Sequence, residues 1–104
     1  MADAAAFSGK MGELQKLRVA LVILLSQENS KLLSRRQRVA GKEIEVMTAE
    51  RDMAAGKVPE KLLAALYVED TALRAALQET EDEITRMEAL MVKIDADIAA
   101  LCQS

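Results

Sequence analysis

The segment Ala54-Ala55-Gly56-Lys57-Val58-Pro59-Glu60 combines a residue that ends helices with a residue that begins them. Glycine readily adopts the left-handed conformation that follows the last turn of many helices, and proline suits the first position of a helix. The segment therefore predicts that one helix ends here and that a second begins almost at once. We expect the turn itself to occupy residues 56–58.

Two long segments of similar length flank this turn. The sequence predicts a flexible N-terminal segment over residues 1–9, a first helix over residues 10–55 and a second helix over residues 59–102. Two long helices joined by a tight turn pack side by side in opposite directions. We therefore predict a single all-α domain, a long antiparallel helical hairpin that forms a two-helix coiled coil.

The amino-acid composition supports this fold class and limits the function. Of the 104 residues, 51% are hydrophobic and 30% are charged, but only 2% are aromatic, which is typical of long helices and coiled coils. The net charge of -3 argues against nucleic acid or an anionic membrane as the main partner. Cys102 is the sole cysteine, and no apolar run reaches the roughly 20 residues of a membrane span. We expect a cytoplasmic protein without a membrane span.

The second helix carries a heptad pattern, with residues at alternating spacings of three and four that form a seam. The predicted seam comprises Leu66, Leu73, Leu77, Thr80, Ile84, Met87, Met91, Ile94, Ile98 and Leu101. Asp70 and Thr80 are the polar residues that interrupt it. A polar residue on such a seam commonly fixes the register of the two helices, and we expect that role here.

The first helix is less regular. One apolar stripe comprises Leu14, Leu17, Leu21 and Leu24, and farther along come the adjacent pairs Leu32/Leu33, Val39/Ala40, Val46/Met47 and Met53/Ala54. At about 100° per residue, these pairs lie well round the helix from the first stripe. Either a continuous helix contacts more than one neighbour, or it breaks at residues 26–30 and gives a three-helix arrangement. We favour the continuous helix because residues 26–30 contain neither glycine nor proline.

A basic segment lies in the middle of the first helix. Its members are Lys31, Arg35, Arg36, Arg38 and Lys42, with no acidic residue among them. The hairpin sets this segment beside an acidic one, Glu79 to Glu88, so that opposite charges flank the seam and specify the antiparallel register. The alternative is a patch that binds anions or nucleic acid. The opposing acids and the absence of aromatic residues for base stacking favour the first interpretation.

Residues that support catalysis are scarce. The chain has no histidine, and Cys102 has no candidate partner. The carboxylates lack the loop spacing of a calcium site. Without the usual general base, nucleophile activator or metal ligand, we predict a protein that is not an enzyme and has no catalytic, cofactor-binding or metal site.

A girdle of seven consecutive apolar residues, Val19 to Leu25, covers the whole circumference of the first helix. One antiparallel neighbour can bury only one side of it. The second helix is also rich in apolar residues where it faces the girdle, so a monomeric hairpin would expose a patch of the kind that marks an interaction site. The predicted interface comprises Val19, Leu21, Val22, Ile23, Leu24, Leu25, Leu90, Met91, Val92, Ile94 and Ile98.

These patterns predict a coiled-coil structural or adaptor protein. It would self-associate into a four-helix or larger bundle, or clamp the helices of a partner protein, through the predicted interface. The alternatives are a regulator associated with nucleic acid through the basic segment, and a secretion chaperone or inhibitor that masks a partner. The predicted outline resembles that of small secreted helical hairpins with a Trp-x-Gly turn. This turn reads Ala55-Gly56-Lys57 and the chain has no tryptophan, so the resemblance is one of shape and implies no function.

Overall fold

The computed structural model describes residues 2–103, and side chains from Ala4 onward. Its elements are two long α-helices, α1 (Ala2–Ala54) and α2 (Glu60–Gln103), and the described residues contain no strand. Arg18 of α1 pairs with Asp95 of α2, and Lys42 of α1 pairs with Glu69 of α2. Early residues of α1 thus meet late residues of α2, and the predicted all-α helical hairpin is confirmed.

The limits of α1 differ from the prediction at its start. Of the segment 1–9 that we predicted to be flexible, Met1 lies outside the described residues, and residues 2–9 belong to α1. Alanine, the best helix former, occupies much of this segment. The helix also continues without interruption through residues 26–30. The favoured continuous helix is therefore confirmed, and the alternative three-helix arrangement is wrong.

The turn between the helices has the hydrogen bonds of a Schellman motif. Gly56 adopts a positive φ of 75°. Its N–H donates to the carbonyl of Met53 over 2.9 Å, and the N–H of Lys57 donates to the carbonyl of Asp52 over 2.8 Å. These bonds satisfy carbonyl groups that the end of α1 leaves without helical partners. Pro59 comes immediately before α2, so the predicted end and restart are found within one residue of their expected positions.

The chain divides into two compact units. The turn unit is the continuous segment Ser30–Asp82, and the terminal unit combines the residues up to Asn29 with those from Glu83 onward. The sequence predicted one domain without this division. Each unit contains a segment of α1 and a segment of α2, and each has its own buried side chains.

The seam of α2 follows the prediction closely. All ten predicted residues are buried or half-buried. Thr80 in the turn unit is 1% exposed, and Ile84 and Ile94 in the terminal unit are 7% and 5% exposed. The heptad spacing therefore identified the face of α2 that packs against α1.

The seam of α1 differs from the predicted stripe. Leu21 is buried and Leu14 is half-buried, but Leu17 and Leu24 are exposed. The seam continues from Leu21 through half-buried residues that the stripe did not include. These are Leu25, Glu28, Leu32 and Arg35. Because polar residues occupy part of the seam, the apolar pattern alone indicated the wrong face for half of the stripe.

The same seam explains which member of each adjacent apolar pair of α1 is buried. In each pair the first residue is buried or half-buried and the second is exposed. Val39 and Val46 are each 8% exposed, whereas Met47 is 65% exposed. Val46 packs with Ala49 and Leu63 at the core of the turn unit. The first members therefore form the seam, and the second members form a different face of α1.

Candidate partner-binding surface

The structure divides the predicted interface into two groups. Leu21 and Ile94 are each 5% exposed, and three more residues are half-buried on the seams of the terminal unit. Those three are Leu25, Met91 and Ile98. The six exposed members are Val19, Val22, Ile23, Leu24, Leu90 and Val92. The first group packs the hairpin itself, so only the second group is accessible to a partner.

We call the exposed large apolar side chains of the terminal unit, apart from Phe7, the outer apolar surface. It comprises Leu17, Val19, Val22, Ile23, Leu24, Leu90 and Val92. Their exposed fractions range from 45% for Val22 to 69% for Val92. Exposed apolar side chains in such a group mark interaction sites more often than single ones do.

An ion pair defines how the two helices are aligned in the terminal unit. Arg18 Nε donates to Asp95 Oδ1 over 2.7 Å, and both side chains are about half exposed. A solvent-exposed pair of this kind contributes roughly 0–1 kcal/mol, so it marks the register more than it stabilises it. The same register sets Leu24 level with Leu90, and apolar residues of both helices therefore occur at one level of the hairpin.

An open groove of about 430 Å³ lies between α1 and α2 in the terminal unit. Its residues are Lys10, Glu13, Leu14, Leu17, Asp97, Ala100 and Leu101. The leucines provide apolar surface, while Lys10, Glu13 and Asp97 contribute charges of both signs. Protein interfaces commonly have this combination of an apolar centre and a polar rim.

A second groove of about 510 Å³ is formed by residues of α1 alone. Its lining residues are Gly12, Gln15, Lys16, Val19, Ala20 and Ile23. Gly12 and Ala20 are small, so Val19 and Ile23 stand beside a depression that a side chain of another helix can enter. The apolar girdle is therefore accessible on a side of α1 that its own hairpin leaves uncovered.

The basic segment is also divided by the structure. Arg35 is half-buried and donates to the hydroxyl of Thr80 and, over 3.4 Å, to the carbonyl of Ala76. Lys42 is half-buried as well, whereas Lys31, Arg36 and Arg38 are exposed. Two of the five basic residues thus lie on the seam of α1. The segment does not form one continuous surface for an anion.

Two polar contacts of the basic segment cross to α2 with partners other than the predicted acidic segment. Arg35 meets the hydroxyl of Thr80 instead of a carboxylate. Lys42 Nζ donates to Glu69 Oε2 over 2.8 Å and to Glu45 Oε2 over 2.9 Å, although Glu69 lies outside the predicted acidic segment. Each contact connects a seam position of α1 to a defined level of α2, and the expected role in register stays a prediction.

Two side chains of the turn unit have altered acidity. Two hydrogen bonds raise the pKa of Lys42 above its ordinary value of 10.5. The one to Glu69 has the larger effect and the one to Glu45 the smaller. Burial, followed by a hydrogen bond with Glu50, raises the pKa of Tyr67 above its ordinary value of 10.0. Both groups therefore hold their protons more tightly in the folded chain.

Asp70, the other polar residue predicted to interrupt the seam, is half-buried. Its Oδ2 accepts a hydrogen bond from Arg74 Nε over 3.0 Å. Its Oδ1 is buried and has no hydrogen-bond partner within residues 2–103. A buried oxygen without a hydrogen bond lowers the stability of the fold. Asp70 therefore makes the seam more polar without stabilising it.

The other predictions about sites concern absences. Among the described residues, no group of three or more His, Cys, Asp or Glu side chains is placed to hold a metal ion. Cys102 is exposed and is not in a disulfide. No helix within residues 2–103 is both long and apolar enough to cross a membrane.

Sequence reasoning missed a set of exposed apolar residues in the turn unit. They are Leu33, Ile44, Met47, Leu62, Tyr67 and Val68, and each is at least 45% exposed. Leu33 and Met47 are second members of the adjacent pairs of α1. The adjacent pairs indicated a second, exposed apolar face of α1, because only one residue of each pair can face α2.

Comparisons of the chain with protein-family models, curated proteins and solved structures found no match.

Proposed function

We propose that the protein is a non-enzymatic coiled-coil component that associates with a second copy through the outer apolar surface and serves a structural or adaptor role. The observation that carries this proposal is the exposure to solvent of the apolar residues in the stretch 17–24. Five large apolar residues in this stretch are exposed, and only Leu21 is buried. A single neighbouring helix covers one side of α1, so further helices are needed to cover the rest.

The free energy available from this surface is sufficient for association. Burying one large aliphatic side chain completely contributes about 1.5–3 kcal/mol, and the residues concerned are about half exposed. Complete burial of the outer apolar surface in both copies of a symmetric dimer would give roughly 10–20 kcal/mol, which is an upper limit because the girdle surrounds α1. The opposing cost of association is about 4–15 kcal/mol. The gain exceeds the cost of association when most of this surface is buried in the dimer.

A second hairpin suits this surface for two reasons. The aligned apolar residues of α1 and α2 present two helices at once, and two such pairs complete a four-helix bundle. The groove beside Leu17 carries Lys10 together with Glu13 and Asp97. A surface with charges of both signs can match a copy of itself in a two-fold arrangement.

The test is the molar mass of two matched variants, measured by size-exclusion chromatography with light scattering. Val19 and Val68 are 61% and 71% exposed, so either can be replaced by aspartate without disturbing a buried core. Val19→Asp should weaken association through the outer apolar surface at least roughly tenfold and so lower the molar mass, because a charge would enter the apolar contact. Val68→Asp, in the turn unit, should leave that contact unchanged.

Equal molar masses for Val19→Asp, Val68→Asp and the unchanged chain at all concentrations would contradict the proposal. Helix content, followed by circular dichroism, should be the same for all three. This control separates loss of association from loss of the fold.

A partner protein that contributes helices of its own is the alternative occupant of the same surface. Val19→Asp would also block binding of that partner, but it would then leave the molar mass of the chain alone unchanged. The contacts of Arg35 and Lys42 argue against the nucleic-acid alternative, since both side chains are engaged within the hairpin.

A further inference from the structure

A second apolar stripe runs along α1 in the turn unit, on the face that α2 leaves uncovered. Its members are Leu33, Ala40, Ile44 and Met47, all exposed. The spacings of seven, four and three place them on one side of the helix, as in the heptad pattern of a coiled coil. Leu33, Ile44 and Met47 are 61%, 66% and 65% exposed. We call these residues the outer stripe.

Charged residues border the outer stripe on one side. Arg36 and Glu43 are seven residues apart, so they lie on the same edge of the helix. Both are exposed, and neither forms an ion pair with another of the described residues. One basic and one acidic side chain are thus separated by two turns. When two copies of α1 lie antiparallel, the basic residue of each can face the acidic residue of the other.

Small residues border the stripe on its other side, at Ser34 and Gly41. Glycine within a helix lowers its stability relative to alanine. A Cβ atom at Gly41 would meet nothing within 4 Å, so the packing of the hairpin does not require a glycine there. Small residues beside an apolar stripe allow the backbone of another helix to approach closely.

We infer that two copies of the chain pack α1 against α1, antiparallel, about a two-fold axis that passes near residues 38–40. In this arrangement Leu33 of one copy meets Ile44 of the other. Arg36 of one copy meets Glu43 of the other, and each pair occurs twice because the contact is isologous. Ser34 and Gly41 form the narrow side of the contact.

The charges of Arg36 and Glu43 favour the antiparallel orientation over the parallel one. A parallel two-fold contact would set the two Arg36 side chains at one level and the two Glu43 side chains at another, and it would form no pair of opposite charge. The antiparallel contact forms both pairs. Opposite charges beside an apolar stripe set partner choice and orientation in coiled coils.

This contact uses residues of the turn unit and goes beyond the proposed function, which concerns the terminal unit. The two can be tested separately. Measurements in a chain that already carries Val19→Asp report on the outer stripe without association through the outer apolar surface. Sedimentation velocity over a range of concentrations gives the dissociation constant of the dimer.

The decisive experiment exchanges the charges. Arg36→Glu alone brings the new carboxylate of each copy against Glu43 of the other, and Glu43→Arg alone produces the equivalent repulsion between guanidinium groups. Either change should weaken the dimer roughly thirtyfold, since two attractive pairs become two repulsive ones. The double variant Arg36→Glu, Glu43→Arg restores opposite charges and should return the dissociation constant to within about threefold of its original value.

A second variant tests the small side of the contact. Gly41→Leu should raise the melting temperature of the hairpin, because leucine forms helices better than glycine. It should also weaken the dimer, because the side chain holds the two helices apart. A change in stability alone would not produce these two opposite results.

Equal dissociation constants for the single and double charge variants would overturn the inference, as would a monomeric Val19→Asp chain. The second result would leave the proposed function intact. Conversely, a dimer that the charge exchange weakens and restores, in a chain indifferent to Val19→Asp, would support the outer stripe and contradict the proposed function.

Discussion

The seams of the two units are built differently. In the terminal unit, the part of the α2 seam from Ile84 to Leu101 is entirely apolar, although half-buried Glu28 lies on the α1 seam. In the turn unit, Thr80 and Asp70 of α2 and Arg35 and Lys42 of α1 occupy seam positions. Apolar contacts stabilise a seam, but they are not directional and do not specify one alignment of the helices. Hydrogen bonds and ion pairs fix which levels of the two helices meet.

The comparison shows how stability and register are distributed along one hairpin. The apolar seam of the terminal unit tolerates a shift of the helices more readily, because one leucine or isoleucine can replace another at the same level. The turn unit resists such a shift, because a displaced Arg35 or Lys42 would lose its partner. Buried polar residues specify alignment at some cost in stability.

The largest effect is expected from a charge in the apolar seam of the terminal unit. Ile94→Asp places a carboxylate at a position that is 5% exposed, which costs about 3–5 kcal/mol. Hydrogen exchange should show loss of protection in the terminal unit while the core around Val46 stays protected. Full protection of both units would mean that the seam of the terminal unit is not a buried core. Ala89→Asp, at an exposed position of the same unit outside the outer apolar surface, is the control.

A smaller effect is expected from the polar seam of the turn unit. Thr80→Val removes the hydroxyl that accepts from Arg35 and should lower the free energy of unfolding by about 1–3 kcal/mol, because the guanidinium loses a partner while half-buried. Combining Thr80→Val with Arg35→Leu should recover most of this loss. Urea denaturation of the two single variants and the double variant measures the coupling. Additive effects would show that the contact does not specify the register.

The smallest effect concerns alkaline pH. The raised pKa values of Lys42 and Tyr67 mean that the folded chain binds protons more tightly than the unfolded chain. Their contribution to stability is complete below about pH 10 and is lost as the pH rises through the folded pKa values. Lys42→Met should therefore flatten the decline in melting temperature as the pH rises above about 10. The same change at the exposed Lys61 should not, and equal declines in both variants would contradict the role of Lys42.

Most of the fold could be predicted from local patterns. Gly56 and Pro59 located the turn, because few residues serve their conformational roles. The seam of α2 followed from spacing alone, because its positions are almost all apolar. The start of α1 was predicted too late, because the segment 1–9 that we expected to be flexible is rich in alanine, which favours a helix.

The candidate surface was predicted only in part, for a physical reason. On α1, polar residues such as Arg35 lie on the seam while apolar ones such as Leu24 lie outside it. Hydrophobicity then no longer distinguishes the buried face from the exposed one. The girdle correctly suggested an excess of apolar residues, but Leu21 could not be separated from Leu24 without the position of α2. The exposed Ile44 and Met47 were missed for the same reason.

The turn at Gly56 has a consequence for how the chain is made. Segments of the turn unit that meet near Gly56 are close in sequence, so bringing them together costs little loop-closure entropy. The terminal unit joins segments with the whole of Ser30–Asp82 between them. On the ribosome, which synthesises the N-terminal part first, Val19 to Leu25 emerges long before residues from Glu83 onward exist to cover any side of it. Throughout that interval the girdle is open to chaperones and to neighbouring nascent chains.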